Sequence, residues 1–88
     1  MEEPTVVRVR QVVANYCGRP IEGVLISSTL QGLEFDSLDV VKLTMELEEE
    51  FKIVIPVEDI PQFEQGKIAD IVLYIDRVLK EVQAQVTE

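Results

Sequence analysis

Asp36-Ser37-Leu38-Asp39-Val40-Val41-Lys42-Leu43-Thr44-Met45-Glu46-Leu47-Glu48-Glu49-Glu50-Phe51 decides how the rest of the chain is read. At about 100° per residue, Val40, Leu43, Leu47 and Phe51 fall on one stripe of a helix, and such a stripe must face a core. Asp36 stands where a side-chain acceptor satisfies first-turn amides, and Asp39 where the helix dipole favours negative charge. The spacing therefore predicts a helix over 37–51. A second row, Leu38, Val41, Met45, Glu48 and Glu49, runs along the side that includes Ser37. It is either a docking patch fringed by carboxylates or a widening of the buried face, and spacing alone does not separate the two.

Upstream, Val6, Val9, Val12, Val13, Tyr16 and Cys17 recur three and four residues apart, the pattern of an amphipathic helix. Pro4 and Thr5 suit its start, and Gly18 followed by Arg19-Pro20 supplies a C-cap and a stop. Residues 19–35 hold Pro20, Gly23, Gly32 and Ser27-Ser28-Thr29, with Ile21, Val24, Leu25, Ile26, Leu30 and Leu33 among them. This predicts a long loop pinned to the core by its aliphatics.

Downstream, Ile53, Val54, Ile55 and Val57 have strand-like composition, but Pro56 interrupts them and no second strand pattern exists to pair with. A loop leading into one helical turn around Glu58-Asp59-Ile60 is expected, with Pro61 and Gly66 bounding the next connection. From Lys67 onward, Ile68, Ile71, Val72, Ile75, Val78, Leu79, Val82 and Val86 keep helical spacing, which predicts a long closing helix. The expected fold is all-α: a small antiparallel four-helix bundle of three long helices and one short one, with a long loop between the first two. One small domain over 1–88 is expected, its core at about 5–80 and the last helix reaching about 86.

Composition narrows the function. The 88 residues carry a net charge of −9, and their regional charges are −1 over 1–35, −7 over 36–64 and −1 over 65–88. That distribution opposes nucleic acid and steers a basic partner surface toward the middle segment. Cys17 is the only cysteine and histidine is absent, so neither an internal disulfide nor a zinc site is expected, and Cys17 reads as a small buried apolar residue. Met1-Glu2-Glu3-Pro4 shows neither a secretory signal nor a membrane span, so a cytoplasmic location is expected.

Ser37 has no histidine in the chain to act as its base and lies in no Gly-x-Ser-x-Gly elbow, which argues against hydrolase chemistry and against an enzyme. What its position suits is modification: exposure, a helix N-terminus that tolerates a phosphodiester charge, and a surface for another enzyme to grip.

Leu33, Asp36-Ser37-Leu38-Asp39, Met45-Glu46-Leu47-Glu48-Glu49-Glu50-Phe51, Ile55-Pro56 and the final isoleucine-rich helix, in that order, resemble the acyl carrier proteins over approximately residues 6–78. The resemblance implies a four-helix carrier whose Ser37, flanked by Asp36 and Leu38, receives 4′-phosphopantetheine from coenzyme A through a phosphopantetheinyl transferase, the holo-synthase. The thiol of that arm would hold acyl groups as thioesters for enzymes of fatty acid, lipid or polyketide synthesis. It further implies that the helix after Ser37 meets basic patches on acyl-loading, elongating and acyltransferase partners. Asp36, Asp39, Glu48 and Glu49 would supply charge and Leu38, Val41 and Met45 apolar contact. An aminoacyl or peptidyl carrier for a synthetase, and an unmodified acidic adaptor, are the alternative readings.

Several residues depart from the family pattern. Glu34 and Phe35 replace a usual Gly and small or aliphatic residue before Asp-Ser, Lys42 stands where an acid is common, and Val54 and Val57 replace acids near Ile-Pro. Phe35 either contacts the arm or a partner, or packs inward beneath the loop. These changes, with Lys42 on the docking face, point to a carrier dedicated to one pathway.

Overall fold

The computed structural model of the protein describes the backbone of residues 4–86 and the side chains of residues 4–81. Its helices are α1 (Thr5–Cys17), α2 (Ser37–Phe51), α3 (Ile60–Gln65) and α4 (Ile68–Val86), with 3₁₀ turns at Ile21–Gly23 and Val57–Asp59. Among the described residues no strand forms; Thr29 and Lys67 make an isolated antiparallel bridge. α1 packs on both α2 and α4, and α3 packs on α2, which is the small helical bundle that the apolar periodicities predict. Among the described residues no helix is long and apolar enough to cross a membrane.

Each long helix buries one stripe. Val9 and Val13 of α1, Val40, Leu43 and Leu47 of α2, and Ile68, Ile71 and Ile75 of α4 are almost completely shielded, and Phe51 joins them. Thr44 also enters the core, where its hydroxyl donates to the Val41 carbonyl at 2.6 Å and so leaves no orphaned polar group. Tyr74, between the predicted apolar positions of α4, is buried as well. Val82 and Val86, the last two positions of the expected stripe, lie outside the described side chains. Cys17 is half-buried, and burial pushes its thiol pKa up, which disfavours the reactive thiolate.

Helix ends follow local chemistry. Gly18 closes α1 at φ 69°, the left-handed conformation glycine adopts without strain. The first amides of α4 are satisfied from the long loop: Ile68 N donates to the Ser28 carbonyl at 2.8 Å and Ala69 N to the Ile26 carbonyl at 2.9 Å. Arg10 of α1 holds the same loop from the other side, donating to the Val24 and Ile21 carbonyls at 2.6 and 3.0 Å.

The loop is thus pinned by backbone bonds together with the buried Val24, Leu30, Leu33 and Phe35. Leu25 and Ile26, expected among its apolar anchors, are exposed; at Ile26 the carbonyl rather than the side chain makes the attachment. A second correction concerns Pro61, expected to bound a connection. It lies in the first turn of α3, where no backbone N–H is required and proline is tolerated. Phe63 then anchors α3 in the core, edge-on to Tyr74 at 5.1 Å, and the Tyr74 hydroxyl donates to Asp59 at 2.7 Å.

Glu34 holds φ 68°, although it is not glycine. Backbone bonds on either side, Glu34 N to the Gln31 carbonyl and Phe35 N to the Leu30 carbonyl, enforce that geometry. A side chain in this region costs about 1–2 kcal/mol, of which glycine's extra chain entropy would return about half. Glu34→Gly is therefore expected to raise stability by about 0.5–1 kcal/mol in urea unfolding, and Glu34→Val to lower it.

Burial, reinforced by the Asp59 carboxylate, raises the Tyr74 pKa from 10.0 to about 12. Because the folded phenol holds its proton more tightly than the unfolded one, this stability is complete below pH 10.0 and drains away as pH rises toward about 12. Urea midpoints measured across that window should fall less steeply for Tyr74→Phe than for the wild type.

Candidate functional site

Ser37 is the first residue of α2, exposed, and preceded by a cap built from two carboxylates. Asp36 Oδ1 accepts from Asp39 N at 2.8 Å, and Asp39 Oδ2 accepts from Asp36 N at 3.2 Å. This reciprocal box ties down both backbone groups flanking Ser37 and sets the direction in which its side chain leaves the helix.

The box is braced from α1. Tyr16 donates its hydroxyl to Asp39 Oδ1 at 2.7 Å, and its ring stacks on Phe35 with centroids 5.2 Å apart. The shared proton pushes the Tyr16 pKa up to about 12, burial adding to the effect, and the same bond, followed by the Asp36 amide, holds Asp39 below the ordinary carboxylate value. One aromatic pair therefore connects α1, the end of the loop and the start of α2.

Ser37 Oγ itself donates to Glu64 Oε2 at 2.7 Å. Glu64 lies 27 residues further along the chain on α3, next to the buried Phe63, and no local spacing signals the pairing. Ser37 is accordingly an exposed hydroxyl held by a carboxylate, at a helix start where the Asp36 and Asp39 carboxylates form the cap. Such a site is poorly suited to trapping a free anion, because Asp36 and Asp39 already occupy the cap. It does suit a group bonded covalently to Oγ, which needs an accessible hydroxyl and a fixed exit direction rather than a pocket.

The second row of α2 resolves toward solvent. Leu38, Val41 and Met45 are 61%, 39% and 58% exposed, and Lys42 and Glu49 are exposed beside them. Of the other residues considered for partner contact, Asp39 and Glu48 are engaged by the fold, and Phe35 takes the inward of its two readings. Phe35 is only 8% exposed and stacks on Tyr16, so its ring belongs to the interior; Glu34 takes the strained turn that delivers it there. Asp39 is half-buried in the cap, and Glu48 is half-buried with Oε2 accepting from Ile55 N at 2.7 Å, which fastens the segment after α2 to the helix. Tyr16 and Glu64 are the two site residues that the sequence reading missed. Tyr16 counted only as an apolar position of α1, and Glu64 only as one acid among many.

Comparison with known proteins places the chain. The family model described as "Phosphopantetheine attachment site" matches residues 7–75, a span that begins within the first turn of α1, contains α2 and α3, and ends at Ile75 within α4. The acyl carrier protein of Zymomonas mobilis is 37% identical over 73 residues, 82% of this chain and 91% of the relative. That of Campylobacter jejuni subsp. doylei is 41% identical over 73 residues, 82% and 92% of the two chains. That of Streptococcus thermophilus is 30% identical, covering 83% of this chain and 93% of its own. The match takes in part or all of each of the four helices together with the serine at the head of α2, and the chain belongs to the phosphopantetheine-attachment family of acyl carrier proteins.

Proposed function

We propose that Ser37 is the point through which this carrier holds its acyl groups, the chain acting as a single carrier domain in the cytoplasm and as a substrate, rather than a catalyst, for its partners. The observation that carries this reading is the exposed Ser37 hydroxyl at the head of α2, with the exposed row of Leu38, Val41 and Met45 on the same helix. When bound, 4′-phosphopantetheine supplies a flexible arm whose thiol holds an acyl group as a thioester.

The chain's own residues do the rest. Asp36 and Asp39 fix the helix start, and Tyr16 with Phe35 braces it, so that the bond to Oγ leaves in one direction. Leu38, Val41 and Met45 offer a partner apolar contact, with Asp36, Lys42 and Glu49 as an exposed polar rim. The partners that fit are a phosphopantetheinyl transferase and acyl-loading, elongating or acyl-transferring enzymes of fatty acid, lipid or polyketide synthesis with basic docking patches, attracted by the charge of −9. Lys42 within the rim supports a carrier dedicated to a restricted set of such enzymes.

Intact-mass measurement after co-expression with a broad-specificity phosphopantetheinyl transferase is expected to show one added phosphopantetheine, absent from Ser37→Ala. A modification that survives Ser37→Ala, or no modification of the wild type, sinks the assignment, and the second result would return the chain to the unmodified-adaptor reading. Identification of the thioester carried in native cells separates acyl from aminoacyl or peptidyl cargo.

The docking row is tested separately. Met45→Asp, with helical content unchanged by circular dichroism, is expected to lower transferase kcat/KM about tenfold, mostly through KM. An equal kcat/KM would remove Met45 from the docking face.

A further inference from the structure

Two demands meet on one atom. Ser37 Oγ donates its only proton to Glu64 Oε2 at 2.7 Å, and Ser37 Oγ is also the atom assigned to the arm. We propose that the Ser37–Glu64 hydrogen bond is a latch between α2 and α3 that only the free hydroxyl can close, so that loading of Ser37 releases the end of α3. The proposal rests on the reading of Ser37 as the attachment point.

The chemistry of loading is incompatible with the latch. The Oγ–H bond breaks and an Oγ–P bond forms. The bond from that phosphorus to the bridging oxygen of coenzyme A breaks, and adenosine 3′,5′-bisphosphate leaves with the electron pair while the serine proton passes to solvent. Oγ then has nothing to donate. The ionised phosphodiester also stands where the donor stood, so a carboxylate formerly satisfied by a proton faces a like charge. Neither Asp36 nor Asp39 can replace the serine in the latch, because their carboxylates act as acceptors, in the cap and, for Asp39, toward Tyr16, and Glu64 needs a donor.

The effect concentrates on α3 because of how α3 is held. The helix has six residues, and among the described residues the bond from Ser37 is its side-chain hydrogen bond to α2. Its other fastenings are packing and local bonds: α3 packs on α2, Phe63 is buried against Tyr74, and Gln62 donates to Asp59 at 3.4 Å. Loss of the latch leaves the Phe63 anchor in place and frees the turn that follows it, Glu64 to Gly66, at the edge of the bundle beside Ser37. A carrier built this way displays a different α3 end before and after loading, which gives partners a feature by which to tell the two forms apart.

Amide hydrogen exchange read by NMR tests the latch directly. Loading of the wild type is expected to speed exchange at residues 64–66 about three- to tenfold, the loss of one modest hydrogen bond, while the buried core of α1 and α4 is unchanged. Ser37→Ala and Glu64→Ala, neither carrying an arm, should each reproduce at least a threefold rise, and loading of Glu64→Ala should add little more. Equal exchange at residues 64–66 in wild type and Ser37→Ala overturns the latch, as does equal exchange in loaded and unloaded wild type. If the wild type takes up no mass from the transferase, the attachment reading fails, and the two alanine variants still decide whether the latch exists.

Discussion

The carboxylate pair Asp36 and Asp39 governs the geometry on which everything else in this carrier depends. Each accepts the backbone amide of the other, which fixes where α2 begins and, because a helix has one rotational phase once its first turn is set, which residues face inward. With that phase Val40, Leu43, Leu47 and Phe51 enter the core, Leu38, Val41 and Met45 face solvent, and Ser37 leaves the helix at its head. Tyr16 and Phe35 convert a local cap into a tertiary one. A start of α2 shifted by one residue would break the Tyr16 to Asp39 bond as well as the apolar stripe.

Charge in this protein does more internal work than its total suggests. The middle segment carries −7 of the net charge of −9, yet several of its acids are engaged within the fold. Asp39 accepts from Tyr16, Glu48 from Ile55 N, Asp59 from Tyr74 and Glu64 from Ser37, and Glu50 accepts from Arg8, whose guanidinium also lies 4.3 Å from the centre of the Phe51 ring. The exposed face of α2 keeps the apolar Leu38, Val41 and Met45 and the charged Lys42 and Glu49.

The long loop follows the same logic of satisfied backbone. α4 begins with amides that have no partner in their own helix, and the Ser28 and Ile26 carbonyls accept from them. Arg10 takes the Val24 and Ile21 carbonyls from the opposite side. The loop is therefore a structural layer that locks α1 to α4, and it ends in the strained Glu34 turn that places Phe35 under the cap.

Whatever depends on neighbours a few residues apart is legible in the amino-acid order. The stripe of α2, the Asp36 cap, the Gly18 stop, the spacing of α4 and the exclusion of histidine-based catalysis at Ser37 are all local patterns, and helical periodicity makes such patterns legible. Pro61 was misread because proline breaks helix interiors but is welcome in a first turn, and a six-residue helix has too few positions to show a period. Packing between elements set the direction of Phe35, the inward duties of Asp39 and Glu48, the exposure of Leu25 and Ile26, and the meeting of Ser37 with Glu64. Those outcomes rest on contacts between residues far apart in sequence. Burial of an aromatic ring or pairing of a carboxylate depends on which element packs opposite, and no spacing within one segment encodes that.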